Sequence, residues 1–403
     1  MPKPKTVISL RVIACLFCVS LFAQSLYASE QEDSARQKAL EYKSTVSEIY
    51  RKSGPEALDV GRSFLKEAHV AKDTLLQIDA LHTLGNVHRL QNDLDSSAFY
   101  MQRALDLSTA INDSTSIANN LNGLGVLESR KGYLEESLLK YKKALTYCKK
   151  SRNSDLIGKL YNNIGLIYQR RGNDELALEY FIKSLDVKEG NVEPVSLVPA
   201  YNNIGLVYLN MQQYENALNY FEKGLAIADS LEDDPKRAIL YTNLGEVQAG
   251  LNHTDEALRY FNQSISIRKE RNDEIGLAIT YMHLANLWAK VGEPSKALKY
   301  YKESHTLLVN NKTKAHLDRV SFHLGRLFYE KKNYQEAKKW FNKAVEVSLD
   351  IESTAFLLNS YDYLSKINYL EGNIQEAYHY LKLEKVLSDS VKEIETTNRI
   401  AEL

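Results

Sequence analysis

The sequence predicts an all-α protein built from repeated pairs of antiparallel helices. Three observations carry that expectation. Small residues return at a fixed interval of 40, as Gly85, Gly125, Gly165, Gly205, Gly245, Ala285, Gly325 and Ser365. Within each interval apolar residues recur at spacings of three and four, the mark of a helix with one buried stripe. Only 7 prolines and 18 glycines occur in 403 residues, few for a chain of short strands and turns.

Each repeat resolves into parts. Just before the small residue stand Leu84, Leu124, Ile164, Ile204, Leu244, Leu284, Leu324 and Leu364. Twelve residues after it come Ser97, Ser137, Ala177, Ala217, Ala257, Ala297, Ala337 and Ala377. Four further on lie Met101, Tyr141, Phe181, Phe221, Phe261, Tyr301, Phe341 and Leu381. On the first helix, Tyr161, Ile164, Gly165 and Tyr168 share one face; after Gly172-Asn173-Asp174 the pattern restarts with Ala177, Tyr180, Phe181 and Leu185. A mid-helix glycine costs about 0.5–1 kcal/mol relative to alanine. Its recurrence therefore implies two helix backbones in close approach, with the large residue filling the space beside them. Prolines keep the same frame: Pro55 and Pro294 open second helices, while Pro194, Pro199 and Pro235 lie at or before first helices. The tyrosine registers Tyr161, Tyr201, Tyr241, Tyr281, Tyr361 and Tyr100, Tyr180, Tyr220, Tyr260, Tyr300, Tyr380 are packing positions.

The order Tyr161, Ile164-Gly165, Tyr168, Ala177, Phe181, Ser184 resembles the tetratricopeptide repeat, at a period of 40 rather than the family's 34. The resemblance implies a right-handed superhelical solenoid of about eight to nine antiparallel helix pairs, each touching only its neighbours. Eight such repeats span residues 73–388. Residues 29–72 form a degenerate hairpin, with helices near Ser34–Lys52 and Pro55–His69. Residues 389–403 read as a last, mostly polar helix, a C-terminal cap or the start of a coiled coil.

Residues 1–28 read as a secretory signal peptide. Lys3, Lys5 and Arg11 give a positive start, Val12 to Ala23 is apolar apart from Ser20, and Leu26-Tyr27-Ala28 offers a cleavage site. The apolar run is short of the roughly 17–25 residues that span a bilayer, and no longer run follows. The expectation is an exported chain in the periplasm or another extracytoplasmic space, with anchoring by an uncleaved leader as the alternative. Cleavage would leave Cys148 as the single cysteine, a structural thiol.

Composition and motifs narrow the function. Lys+Arg number 51 and Asp+Glu 52. That balance lacks the basic surface that nucleic-acid binding or a polybasic membrane anchor requires. Gly123-Leu124-Gly125 has Glu128 where a dinucleotide loop needs a third glycine, and it lies in a helix. No phosphate loop or HExxH occurs, and the one CxxC is in the leader. His283 and His323 share a repeat position, but a tetrahedral zinc site needs further ligands. The expectation is no catalytic residues, no metal and no cofactor.

One pattern exceeds packing. Asn122, Asn162, Asn163, Asn202, Asn203 and Asn243 precede the Leu-Gly or Ile-Gly pair, although asparagine is a mediocre helix former. The resemblance implies that these first-helix positions line a concave groove, where amides, both donors and acceptors, can grip an extended peptide backbone. The competing reading has the asparagines bond one another. Arg130, Gln169 and Arg170, with Arg89, Lys159, Arg319 and Arg326, stand near that face and would favour an acidic partner. The expected function is an exported non-enzymatic scaffold binding a peptide or protein segment. The alternative is a sensor module, because the leader, the Tyr-Asn-Asn-Ile-Gly repeats and the tail resemble the extracytoplasmic half of Bacteroidetes-type signalling proteins.

Overall fold

The computed structural model describes residues 29–46, 48, 49, 56–151, 153–190, 193–351 and 353–401. The leader lies outside the described residues, as does the Gly54-Pro55 turn. No described helix is long and apolar enough to cross a membrane. The chain divides into two compact units, up to Ile167 and from Tyr168 onward, and every described element is helical.

Residues 29–46 form α1, followed by α2 (Ala57–Val70). The first unit continues with α3 (Thr74–Leu90), α4 (Leu94–Ala110), α5 (Ser114–Arg130), α6 (Leu134–Ser151) and the start of α7 (Ser154–Arg170). The second unit holds the end of α7, α8 (Asp174–Lys188), a short 3-10 turn at Pro194–Ser196, α9 (Val198–Asn210) and α10 (Tyr214–Ser230). It goes on through α11 (Asp234–Gly250), α12 (Thr254–Glu270), α13 (Glu274–Lys290), α14 (Pro294–Asn310), α15 (Leu317–Glu330), α16 (Tyr334–Asp350), α17 (Thr354–Leu370) and α18 (Ile374–Ala401). Within each unit the architecture is a solenoid of helix pairs.

Local chemistry sets the helix ends. The first-helix starts carry an acceptor just outside: Asp73, Asp113, Asp233 and Asp273 each accept a backbone N–H two or three residues on. Such caps contribute about 1 kcal/mol apiece. Each hairpin turn contains one left-handed residue, and these too return every 40: Asn92, Gly132, Gly172, Gln212, Asn252, Gly292, Lys332 and Gly372. Glycine takes that conformation without steric cost, and asparagine tolerates it.

The small-against-large register is the core. Phe181, Phe221, Phe261 and Phe341 are fully buried, and Tyr301 is nearly so. A methyl group added at Gly205 would come within 2.5 Å of the Phe221 ring, and one at Gly245 within 2.6 Å of Phe261. In the first unit the same conflict arises between Gly125 and Tyr141. Where the second-helix small residue is serine, its hydroxyl also bonds the facing glycine: Ser97 donates to Gly85 O and Ser137 to Gly125 O, both at 2.7 Å. The tyrosine registers pair across helices, as in Tyr241 with Tyr260 (centroids 6.1 Å apart) and Tyr281 with Tyr300 (5.4 Å). Cys148 is fully buried, and burial pushes its thiol up to about 11.

The first described helix is already in place at residue 29. The tail continues α18, which runs unbroken for 28 residues, and nothing between Leu383 and Val391 is glycine or proline. Leu381, in the register buried elsewhere, is 52% exposed.

Candidate functional site

The asparagines meet one another. In the first unit Asn163 Nδ2 donates to Asn122 Oδ1 at 2.8 Å. In the second, Asn243 Nδ2 donates to Asn202 Oδ1 at 2.7 Å. Both bonds join residues 41 apart, so neighbouring first helices are offset by one position. Asn202 Nδ2 also reaches Asn203 Oδ1 at 3.4 Å. An amide has two N–H donors and two lone pairs, and each pair uses one of each. The bonding thus fixes the side-chain orientations and leaves further donors and acceptors. Asn122, Asn162, Asn163, Asn202 and Asn203 are half-buried, whereas Asn243 is only 9% exposed and stands behind Asn202.

The basic residues divide differently from their sequence neighbourhood. Arg130 belongs to the first unit, where its Nη1 donates to the Arg89 carbonyl at 3.2 Å. Gln169 and Arg170 belong to the second, in the last turn of α7, half-buried and exposed respectively. Lys290, four repeats on in the same register, makes the corresponding contact, donating to the Ala249 carbonyl at 2.5 Å. These cations thus cap the carbonyl end of the preceding first helix, where the helix dipole is negative. Arg319 lies over the Phe356 ring, 5.3 Å from its centroid.

Sequence reasoning missed two constellations. In the first unit His82 Nδ1 lies 2.8 Å from Asn120 Oδ1, and Asn120 Nδ2 donates to Ser116 O. Burial lowers the His82 pKa despite that bond. In the second unit a cavity of about 270 Å³ opens among the ends of α9, α11 and α13, lined by Leu209, Asn210, Tyr214, Glu246, Gly250, His283, Asn286, Leu287 and Lys290 among others. Glu246 Oε2 lies 3.2 Å from His283 Nδ1. Burial pushes the Glu246 carboxyl up, but His283 and Arg319 together hold it below the usual carboxylate range. Asn286 Oδ1 accepts the Tyr301 hydroxyl at 2.5 Å. The only sequence signal was the break in the asparagine register at His283. His323, next in that register, stacks on Tyr301 at 5.6 Å and does not join the cavity lining. Burial, helped by Arg326, Arg319 and His283, lowers its pKa to about 3.

Comparison with known proteins follows the same lines. The family described as "Tetratricopeptide repeat" matches residues 115–190, 196–270 and 276–350, more than half of the chain. No curated protein matches in sequence. Among solved structures, the apo quorum sensor NprR from B. thuringiensis aligns with a TM-score of 0.62 at 16% identity, covering 89% of this chain and 99% of its own. The Rap conjugation gene regulator of plasmid pLS20, in complex with the Phr* peptide, aligns with a TM-score of 0.57 at 17% identity, covering 82% and 98%. A tetratricopeptide repeat protein from Parabacteroides merdae gives 0.50 at 20%, covering 70% and 98%. At these identities the likeness is one of fold. With its 40-residue register of small against large, its paired helices and that family match, the chain belongs to the tetratricopeptide repeat family.

Proposed function

We propose that the chain is an exported, non-enzymatic scaffold that binds a peptide or protein segment along its first-helix face. The observation that carries this reading is the row of half-buried asparagines on successive first helices, Asn122, Asn162, Asn163, Asn202 and Asn203; the bonds from Asn163 to Asn122 and from Asn243 to Asn202 are equally what the competing reading expects. Those bonds orient the half-buried amides of Asn122, Asn163 and Asn202, a preorganised set for a main chain. The Rap regulator solved with the Phr* peptide lends the same fold to peptide capture.

The test is replacement of Asn162, Asn202 and Asn243 together by alanine. Each lost hydrogen bond contributes about 0.5–1.5 kcal/mol net, so capture of envelope partners is expected to weaken by roughly ten- to a thousandfold at unchanged helicity. Full-strength capture by the triple variant would remove the asparagines from the site. Export has its own check: N-terminal sequencing of protein from a secreting host is expected to begin near Ser29. Met1 retained on membrane-bound material would favour the anchored form.

A second reading, the extracytoplasmic sensor module of a two-component-type signalling protein, is favoured by the length of α18. At 28 residues against 17 for most repeat helices, it continues past the repeat as a coiled coil's first turns would. Reading the coding frame for a downstream membrane helix and effector domain decides between the two.

A further inference from the structure

The cavity at the ends of α9, α11 and α13 is not explained by backbone capture. Its walls are of two kinds. Leu209, Tyr214 and Leu287 form an apolar sleeve, and Glu246 stands in it with 38% of its side chain exposed. Gly250 keeps the sleeve's shape: a methyl group there would come within 2.3 Å of the Tyr214 ring. The volume, about 270 Å³, suits one long side chain rather than a folded element.

Glu246 is the carboxylate of the lining, and His283 and the Arg319 guanidinium both act on it. Glu246 Oε2 faces His283, but Oε1 meets no hydrogen-bond donor among the described residues. Lys290, the cation that lines the cavity, is turned away from the carboxylate onto the carbonyls of Ala249 (2.5 Å) and Gly250 (3.4 Å). Asn286 Oδ1, engaged by the Tyr301 hydroxyl, keeps a second lone pair. Three of the lining helices end there, at Asn210, Gly250 and Lys290, and one, α10, begins there at Tyr214, so the carbonyl ends outnumber the amide end. A carboxylate ligand would meet the open Oε1 of Glu246 charge against charge, whereas a cation would pair with it.

We infer that this cavity is a specificity pocket for an organic cation of the bound segment, an arginine or lysine side chain or an N-terminal ammonium. Its stem lies against Leu209, Tyr214 and Leu287, and its charged head meets Glu246 Oε1 and Asn286. This rests on the peptide-binding reading and adds a selectivity which that reading does not contain.

The experiment is selection of a random heptapeptide library, displayed with free N-termini, on the immobilised full chain and on its isosteric Glu246→Gln variant. The expected result is enrichment of arginine or lysine at one position, or of binders that need their free amine, with the wild type alone. A selected arginine peptide remade with citrulline is expected to bind the wild type about tenfold more weakly, and to bind the variant equally in both forms. N-terminal acetylation of the selected peptide distinguishes a terminal ammonium from a side chain. Enriched peptides without a required cation, or identical selection by Glu246→Gln, would overturn the pocket while leaving peptide binding intact. No enrichment over background on either protein would overturn both.

Discussion

Phe221→Ala is expected to destabilise the second unit by about 3–5 kcal/mol, the usual cost of emptying a buried aromatic site. The ring is fully buried among Ala217, Leu240, Tyr241 and Leu244, and it lies against Gly205, where no side chain exists to relax into the void. Hydrogen exchange is expected to show lost protection centred on α9, α10 and α11, because a solenoid hairpin couples chiefly to its neighbours. Uniform loss across the chain would contradict that local coupling. The converse substitution isolates the contact. Gly205→Ala gains about 1 kcal/mol of helix propensity, yet its methyl meets the ring at 2.5 Å, and overpacking costs about 1–3 kcal/mol. In a Phe221→Leu background the clash is relieved. The double variant is therefore expected to be more stable than the sum of its parts predicts, and strict additivity would mean that the ring is free to move.

Acid is expected to weaken the region around His323 by about 2 kcal/mol between pH 7 and pH 5. The imidazole is packed on Tyr301 and Phe356, and burial brings its folded-state pKa to about 3. Below the ordinary histidine value of about 6.5 the unfolded chain takes up a proton that the folded chain refuses. The stabilisation is thus complete above about pH 6.5 and is lost as pH falls toward the folded value, at roughly 1.4 kcal/mol per unit. Trp288 and Trp340, the chain's two tryptophans, pack on the cluster that contains Tyr301, so their fluorescence reports the unfolding of that region in urea. His323→Phe keeps an aromatic ring but cannot ionise. Its midpoint is expected to move less with pH than the wild type's. An equal loss in both proteins would place the acid sensitivity in other groups, with His305 and His316, both also lowered by burial, the next to replace.

The candidate site was legible only in part. Asparagine stands out in a helix interior because it is a costly choice there, and a 40-residue register makes the repetition visible. Its partners were not visible. Asn163 bonds Asn122 and Asn243 bonds Asn202 across 41 residues, not 40. That one-residue offset comes from how neighbouring helices slide and cross as their side chains interlock, which no periodicity along one chain encodes. Arg130 looked like a groove cation for the same reason: sequence shows its charge, but only the adjacent helix end shows the Arg89 carbonyl it satisfies.

What the sequence determined by itself was the unit and its repetition: two helices, the turn between them, and a small residue that must lie against a large one. Those follow from short-range rules, since helix periodicity, capping and the steric freedom of glycine act within a few residues. The tertiary structure alone decided which polar groups meet. Glu246 comes beside His283, Lys290 onto the end of α11, and a cavity stays open between them. A salt bridge or a cavity depends on the lateral distance between helices, which is the joint outcome of packing along the whole contact rather than of any one residue's preference.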